Sequence, residues 1–408
     1  MPTGQSARKR DNRVLSAIIV CRFYAEKAWK AHRQVQILLW GTYDLTKPRV
    51  RLMRQALQSC GDLSEIHTNV WTGVEDKSQL RGWRVAWAAL RWLTAYPLLI
   101  LRFMLTPKPD VVVVGYMGQV DMLILAPLAR LRRVPIIWDA FLSLYDTVVH
   151  DRKLLGLRHP LARLIFALER RACNAADAVV LDTSSHAQSF GELYDLDDAK
   201  LFAVFVGVEQ DVFAKTAPAA LPERADSHIR ILFYGQFIPL HGIQTIVEAA
   251  RLTRDRPFRW HLIGQGQDAA EVRAMLEDDS FPNLEWEPWV PYAQLIDRIS
   301  ECDVCLGVFG ISDKASRVIP NKVFQTLMSD KPLITRDSPA MRELFLDEDS
   351  AVALVQPGDP QALVAAIEGF AAASPVPDRQ ALRQRFDATA LTDGWMAIVS
   401  AVAGRKVT

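Results

Sequence analysis

"RVIPNKVFQTLMSDKPLIT" (Arg317–Thr335) carries a helix start, an apolar helical face and a strand in succession. Pro320 fixes its own φ and suits the threshold of a helix, and Asn321 is a preferred N-cap. Val323, Phe324 and Leu327 recur at helical spacing, and "KPLIT" then reads as a short apolar strand. The spacing predicts a helix opening near Asn321, where the first amides lack intrahelical partners and attract an anion. Lys322 adds a full positive charge at that end. Taken alone, the stretch fits a capped helix with a solvated lysine equally well. The rest of the chain has to decide.

Outward from it, strand and helix signals alternate. "IRILFYG" (229–235), "RWHLIG" (259–264), "NLEWE" (283–287) and "DVCLGVF" (303–309) precede "KPLIT", each followed by helical sequence. The first half has the same rhythm, with strands at "VQILLW" (35–40), "LSEIHT" (63–68), "DVVVVG" (110–115), "VPIIWD" (134–139), "DAVVLD" (177–182) and "LFAVFV" (201–206). Helices are predicted over 49–60 and 119–131. Repeated βα units imply parallel sheets with right-handed crossovers, and the fully apolar "VVVV" is of the buried parallel type. The fold class is therefore α/β, with two doubly wound, Rossmann-like domains. "KTAPAALPERADSH" (215–228) is rich in Ala and Pro without periodicity and reads as the linker. The expected organisation is a basic extension (1–33), a first domain (34–214), the linker (215–228), a second domain (229–376) and a helical segment (377–408) that packs back on the first domain.

Composition narrows the class. A chain of 408 residues is too long for one ordinary core, and 50% hydrophobic with 23% charged residues indicates a folded protein. Net charge of +1 gives no support for nucleic acid as a partner. Five cysteines without framework spacing suggest a reducing compartment, hence a cytoplasmic location. Cys302 and Cys305 form a lone C-x-x-C in an apparent buried strand and read as packed thiols, not as a zinc or redox site. No secretory signal pattern is evident at the start.

Two doubly wound domains facing a cleft would bring ligands to the carboxyl ends of their strands. Gly41 and Gly115 end strands in the first half, and Gly235 and Gly264 end strands in the second. Each admits close backbone approach to a ligand, and each fits a plain turn as well.

The second-half segments together resemble a family 4 glycosyltransferase of the GT-B fold. "YGQFIPLHGIQTIVEAARL" matches that family's first strand-loop-helix, "HLIGQG" its next strand, and "SECDVCLGVFG" and "IPNKVFQTLMSDKPLITRDSPAMREL" its donor-binding strands, helix and loop. "VFVGVEQDVF" (204–213) resembles the segment leaving the first domain. The likeness covers roughly residues 35 to 375 and is stronger after 200. It implies a retaining transfer of sugar from a nucleotide-sugar to a sugar or lipid-linked acceptor in envelope polysaccharide or glycolipid assembly. No cofactor and no metal are expected, because helix ends and cations stabilise the leaving diphosphate.

On that resemblance the diphosphate lies across the helix starts at Gly242 and Asn321, with Lys322 neutralising it. The family's clamp Arg and Lys fall on Gln236 and His241 here, so Lys322 with Lys314 or Arg317 is expected to carry the charge. The family's paired glutamates fall on Arg317 and Gln325, the latter placed for the ribose. Gly266 lies near the nucleotide, and Glu343 follows the loop that holds the donor. Asp139 stands where the family often has a histidine, and helix capping is its alternative role. Gly41, Thr42, Gly115 and Tyr145 are the acceptor-side candidates. Lys322, His241 and Asp139 are the catalytic ones.

Rival readings remain open at this point. "GQGQDA" (264–269) fits G-x-G-x-x-A after a strand with Glu285 further on, as in a two-domain NAD-dependent oxidoreductase. A non-hydrolysing nucleotide-sugar epimerase and a non-catalytic nucleotide-sugar-binding protein are the others. "DLD" (195–197) mimics a metal-binding pair but falls in a polar turn. "VAWAALRWLTAYPLLILRFML" (85–105) is long and apolar, but Arg91, Arg102 and Pro97 interrupt it, so a packed helix ranks above a membrane span. Trp83, Trp87 and Trp92 with the flanking arginines suit contact with the inner face of a membrane.

Overall fold

The computed structural model describes residues 34–70, 83–213, 228–346, 349–372 and 380–404. The 1–33 extension, nearly all of the 215–228 linker and the side chains of Trp83 and Trp87 lie outside the described residues. In chain order the elements are β1 (Gln36–Gly41), α1 (Pro48–Cys60), β2 (Asp62–His67), α2 (Trp83–Leu105), β3 (Val111–Val114), α3 (Gln119–Arg132), β4 (Ile136–Phe141), α4 (Pro160–Ala175), β5 (Ala178–Leu181), α5 (Ser184–Tyr194) and β6 (Leu201–Ala203). They continue with α6 (Gln210–Phe213), β7 (Ile229–Tyr234), α7 (Ile243–Leu252), β8 (Phe258–Ile263), α8 (Ala269–Asp278), β9 (Leu284–Glu287), α9 (Tyr292–Glu301), β10 (Val304–Leu306), α10 (Asp313–Arg317), α11 (Asn321–Met328), β11 (Leu333–Arg336), α12 (Pro339–Leu344), β12 (Val352–Val355), α13 (Pro360–Ala372), α14 (Gln380–Arg383) and α15 (Ala388–Ala403).

Two six-stranded sheets result, ordered β2-β1-β3-β4-β5-β6 and β12-β11-β10-β7-β8-β9. All the strand pairings are parallel. Strand order reverses between β1 and β3 in the first sheet and between β7 and β10 in the second, and such switch points leave a crevice at the carboxyl ends. The sequence reading missed β12, a short, largely half-buried strand at the sheet edge, paired with β11 from Leu333↔Val352 to Arg336↔Val355.

One compact unit takes the residues up to Tyr145, Arg158–Phe205 and those from Thr389; the other takes Asp146–Leu157 and Val206–Ala388. The first sheet is covered on both faces. Leu38 and Trp40 pack with Val112, Val114 and Trp138 under α2–α5, while Ile37 and Leu39 pack with Val113 and Val180 under α1 and α15. This is why its inner strands β3 and β5 are apolar at every position and not at alternate ones. Trp395, Ile398 and Val402 of α15 complete the second layer.

The segment Asp146–Leu157 joins the second unit although it sits in the chain between β4 and β5. It is tied there by Lys314 Nζ donating to Thr147 Oγ1, by Ser312 Oγ donating to Asp151 Oδ1 at 3.2 Å and by Arg317 facing Asp146 at 3.5 Å. Its point of departure is fixed by Glu169, a buried carboxylate that accepts from Leu144 N at 2.7 Å, Tyr145 N and Ser143 Oγ at 2.9 Å, and Gln119 Nε2 at 3.0 Å.

Asp139, the candidate at the end of β4, is wholly buried and paired with Arg49 of α1. Nε lies 3.1 Å from both carboxylate oxygens and Nη2 2.6 Å from Oδ1. Nη1 of the same guanidinium donates to Val204 O at 2.6 Å, and Phe141 and Trp395 cover its faces. Every polar arm of the pair is used inside the first unit. Asp139→Asn should therefore lower its stability by about 3–5 kcal/mol, the cost of stranding a buried charge. Denaturant unfolding checks this; unchanged stability with lost activity would return Asp139 to the chemistry.

Candidate functional site

The switch point of the second sheet collects the main candidates. Gly235 follows β7 with φ +142 and Gly242 precedes α7 with φ +61, both conformations that L side chains resist. A Cβ on Gly242 would come within 2.4 Å of Gly310 N, so the loops after β7 and β10 meet only because it has none. Helix α11 opens one residue earlier than an Asn321 cap would place it. Pro320 is its N-cap, with extended ψ and no side-chain cap, and Asn321 is the first helical residue.

Lys322 in the first turn of α11 is 5% exposed. Its Nζ sits 3.7 Å from the centre of the Phe233 ring and 2.9 Å from where a Gly235 Cβ would stand, and no acceptor hydrogen-bonds it. Burial holds this amine well below the ordinary lysine range. The ring face offsets part of that penalty, on the order of 2 kcal/mol for a desolvated contact. The arrangement is an amine aimed at Gly235 without a counter-charge.

His241 ends a 3-10 turn (Pro239–His241) beside it. Its Nδ1 donates to Gln236 O, which fixes the tautomer and leaves Nε2 as an acceptor. Burial first, and the Lys322 charge second, push its pKa well below the usual imidazole value. The ligand-free protein therefore favours the neutral ring over a second cation at this place. The Tyr234 hydroxyl lies 3.2 Å from both Lys322 O and Gln325 Oε1, which orients the Gln325 amide.

Lys314 and Arg317, expected beside Lys322, are held in another cluster. They line a small cavity of about 50 Å³ with His150, Asp151, Ser312 and Asp313. Arg317 there faces Asp313 at 3.1 Å as well as Asp146. Glu343 is half-buried on α12. Arg152, which sequence reasoning passed over, reaches the Lys322 side of the site instead, with Nη2 3.5 Å from Gln236 Oε1. Only the excursion of Asp146–Leu157 into this unit brings it there.

Gly264 and Gly266 serve packing. A Cβ would meet Gly235 O at 1.9 Å and Phe237 O at 2.5 Å respectively. They let the turn after β7 cross the end of β8, and β8 is not a switch-point strand. A dinucleotide fingerprint needs its glycines open toward a pyrophosphate, so that reading loses its geometric basis. Asp195 and Asp197 cap α5 and the following 3-10 turn. Among the described residues, His261, Glu285 and Glu287 approach metal-ligand spacing, but Arg298 already lies 3.1 Å from Glu287. The Cys302 and Cys305 sulfurs are 3.3 Å apart and buried, with the Cys302 thiol pushed up by burial.

In the first unit the residues after β1 form a closed polar knot. Asp121, missed in the sequence, accepts from Thr42 N and Tyr96 Oη at 2.8 Å each, and Trp92 Nε1 donates to Thr42 Oγ1 at 3.1 Å. A Cβ on Gly41 would strike Asp121 Oδ2 at 2.3 Å, and one on Gly115 would touch Tyr43 at 3.0 Å. Tyr145 packs edge-on to Phe166. These positions support the backbone around the switch point.

A depressed pKa in a base means that protonation opposes folding. Stability is full above the unfolded pKa and is lost as pH falls through it, about 6.5 for His and about 10.4 for Lys. Two outcomes follow. Wild type should lose stability between about pH 7 and 5 by more than His241→Gln, as read from melting temperature against pH. Lys322→Met should stabilise the ligand-free protein by about 1–2 kcal/mol, because a buried amine without a partner gives way to an apolar chain of similar length. A destabilised Lys322→Met would mean that the amine is satisfied after all.

Comparison with known proteins agrees with this fold. The family model described as "Glycosyl transferases group 1" matches residues 228–372. The chain is 26% identical over 142 residues to the probable glycosyltransferase WbjE of Pseudomonas aeruginosa, covering 33% of this chain and 34% of that one. It is 26% identical over 141 residues to the putative colanic acid biosynthesis glycosyl transferase WcaI of Escherichia coli (strain K12), covering 34% of each. The match thus spans about a third of the length of these curated relatives. The structure of Anabaena Alr3699/HepE in complex with UDP and glucose superposes with a TM-score of 0.58 at 13% identity, over 90% of this chain and 99% of that one. Residues 228–372 are a domain of the glycosyl transferases group 1 family, in a chain of GT-B fold.

Proposed function

We propose that the protein is a retaining glycosyltransferase that takes its sugar from a nucleoside-diphosphate sugar. The observation that carries this reading is the buried Lys322 Nζ, without a hydrogen-bond acceptor, at the β7/β10 switch point. A diphosphate supplies the missing counter-charge and takes the free amides of the α11 start. As the bond from the anomeric carbon to the phosphate oxygen breaks, negative charge grows on the leaving group. The amine and amides are already in place to stabilise it. The acceptor hydroxyl attacks from the same face and passes its proton to the departing phosphate oxygen. Gln325 offers its amide to a ribose hydroxyl. The chemistry asks for cations and helix ends, and the chain provides both.

The test is release of nucleoside diphosphate from a panel of nucleotide-sugars, together with calorimetry on the diphosphates. Wild type should bind one of them, and Lys322→Met should weaken that binding by about 1.5–3 kcal/mol. Unchanged affinity in the variant would make Lys322 a structural residue. Binding without turnover on any acceptor would leave a nucleotide-sugar-binding protein.

We infer further that the acceptor is held at a membrane surface, as in assembly of envelope polysaccharide or glycolipid. Helix α2 buries Tyr96, Leu99 and Phe103 and exposes Leu93, Leu101 and Leu105 at 60%, 55% and 75%. No described helix is long and apolar enough to cross a membrane. Between Lys77 and Pro109 the sequence has Lys77, Arg81, Arg84, Arg91, Arg102 and Lys108 and no acidic residue. An apolar stripe among cations complements an anionic lipid surface, at about 1 kcal/mol per cation near it. The protein should sediment with anionic vesicles at low salt, and Leu93→Glu/Leu101→Glu should not. Equal behaviour of both proteins, or no sedimentation at all, would point to an acceptor in solution.

A further inference from the structure

We propose that Arg152 is the second cation of the donor diphosphate site, standing in for the charge that position 236 lacks. This rests on the donor reading of Lys322. The guanidinium arrives from the crossover between β4 and β5, which leaves its own sheet to pack in the second unit. Its backbone is pinned from two sides: Arg152 N donates to Thr147 O at 2.9 Å, and Gln267 Nε2 donates to Arg152 O at 3.2 Å. The next residue, Lys153, has φ +51, a left-handed conformation that non-glycine side chains resist. The chain thus accepts local strain to turn back just after Arg152.

The side chain itself is left open. Nε is buried without a hydrogen-bond partner, and Nη2 makes only the long 3.5 Å contact to Gln236 Oε1. No described carboxylate forms an ion pair with it, and its neighbour Asp151 accepts from Ser312. Lys314 and Arg317, by contrast, are engaged with Thr147, Asp146 and Asp313. Arg152 also lies close enough to His241 for its charge to help depress the imidazole. Two basic side chains converging on the end of β7, neither in ion-pair contact with a described carboxylate although Asp151 lies within electrostatic reach of Arg152, match a ligand with two phosphates better than one with a single phosphate. The planar fork of arginine suits two phosphate oxygens at once.

Calorimetry on the full chain with UDP, GDP, ADP and dTDP, each beside its monophosphate, tests the assignment. For the nucleotide that wild type binds, Arg152→Gln should lose about 10- to 100-fold in diphosphate affinity and change monophosphate affinity little. Arg152→Lys, which keeps the charge but not the fork, should retain part of the preference and guards against a folding defect in the first variant. Diphosphate binding unchanged in Arg152→Gln but lost in Lys322→Met would remove Arg152 and leave the donor site standing. Equal losses for diphosphate and monophosphate would make Arg152 a packing residue. If wild type binds none of the four, the donor reading falls and this inference with it.

Discussion

A buried amine without a hydrogen-bond partner, that of Lys322, is what the second unit is organised around. Isolated amines avoid the protein interior, and one that stays there must be held by the rest of the fold. Here β7 supplies Phe233 beneath it, α11 supplies the backbone that fixes it, and Gly235 supplies the space it faces. The neutral form of His241 follows first from its own burial and second from the neighbouring Lys322 charge. The site is a poor arrangement for an empty protein and a good one for an anion.

That cost is bearable because the surroundings are rigid. Six parallel strands and the glycine contacts at 235, 242 and 310 lock the loops after β7 and β10 against each other. Electrostatic stabilisation of a leaving group depends on such fixed dipoles and charges, which need not reorganise during the reaction. The first unit places its polar groups differently. Asp121, Glu169 and the Arg49–Asp139 pair are saturated with internal hydrogen bonds. Their work is to hold the strand ends and the point where the chain leaves for the second unit.

Legibility in the sequence tracked how local each signal is. The buried strand Val111–Val114 was visible because a parallel strand covered on both faces is apolar throughout, and Ile229–Tyr234 because all of it but Arg230 is apolar. β12 was not, because four half-buried residues at a sheet edge carry little periodicity. Lys322 was found from a helix start, although Asn321 proved to be the first helical residue and not the cap. Lys314 and Arg317 were grouped with Lys322 to replace the cations missing at Gln236 and His241, and the structure gives them carboxylate and hydroxyl partners instead.

The sequence by itself determined the βα alternation, the parallel sheets, the glycines at strand ends and the cation at the α11 start. Each depends on the periodicity or conformational limits of a few neighbouring residues. Only the tertiary structure decided that Asp139 is held by Arg49, ninety positions away in the chain, and that Arg152 meets Gln236 across eighty-four. Such pairs depend on strand order and on which unit a crossover segment joins. No local pattern encodes them, because the free energy that selects them comes from packing between elements distant in sequence.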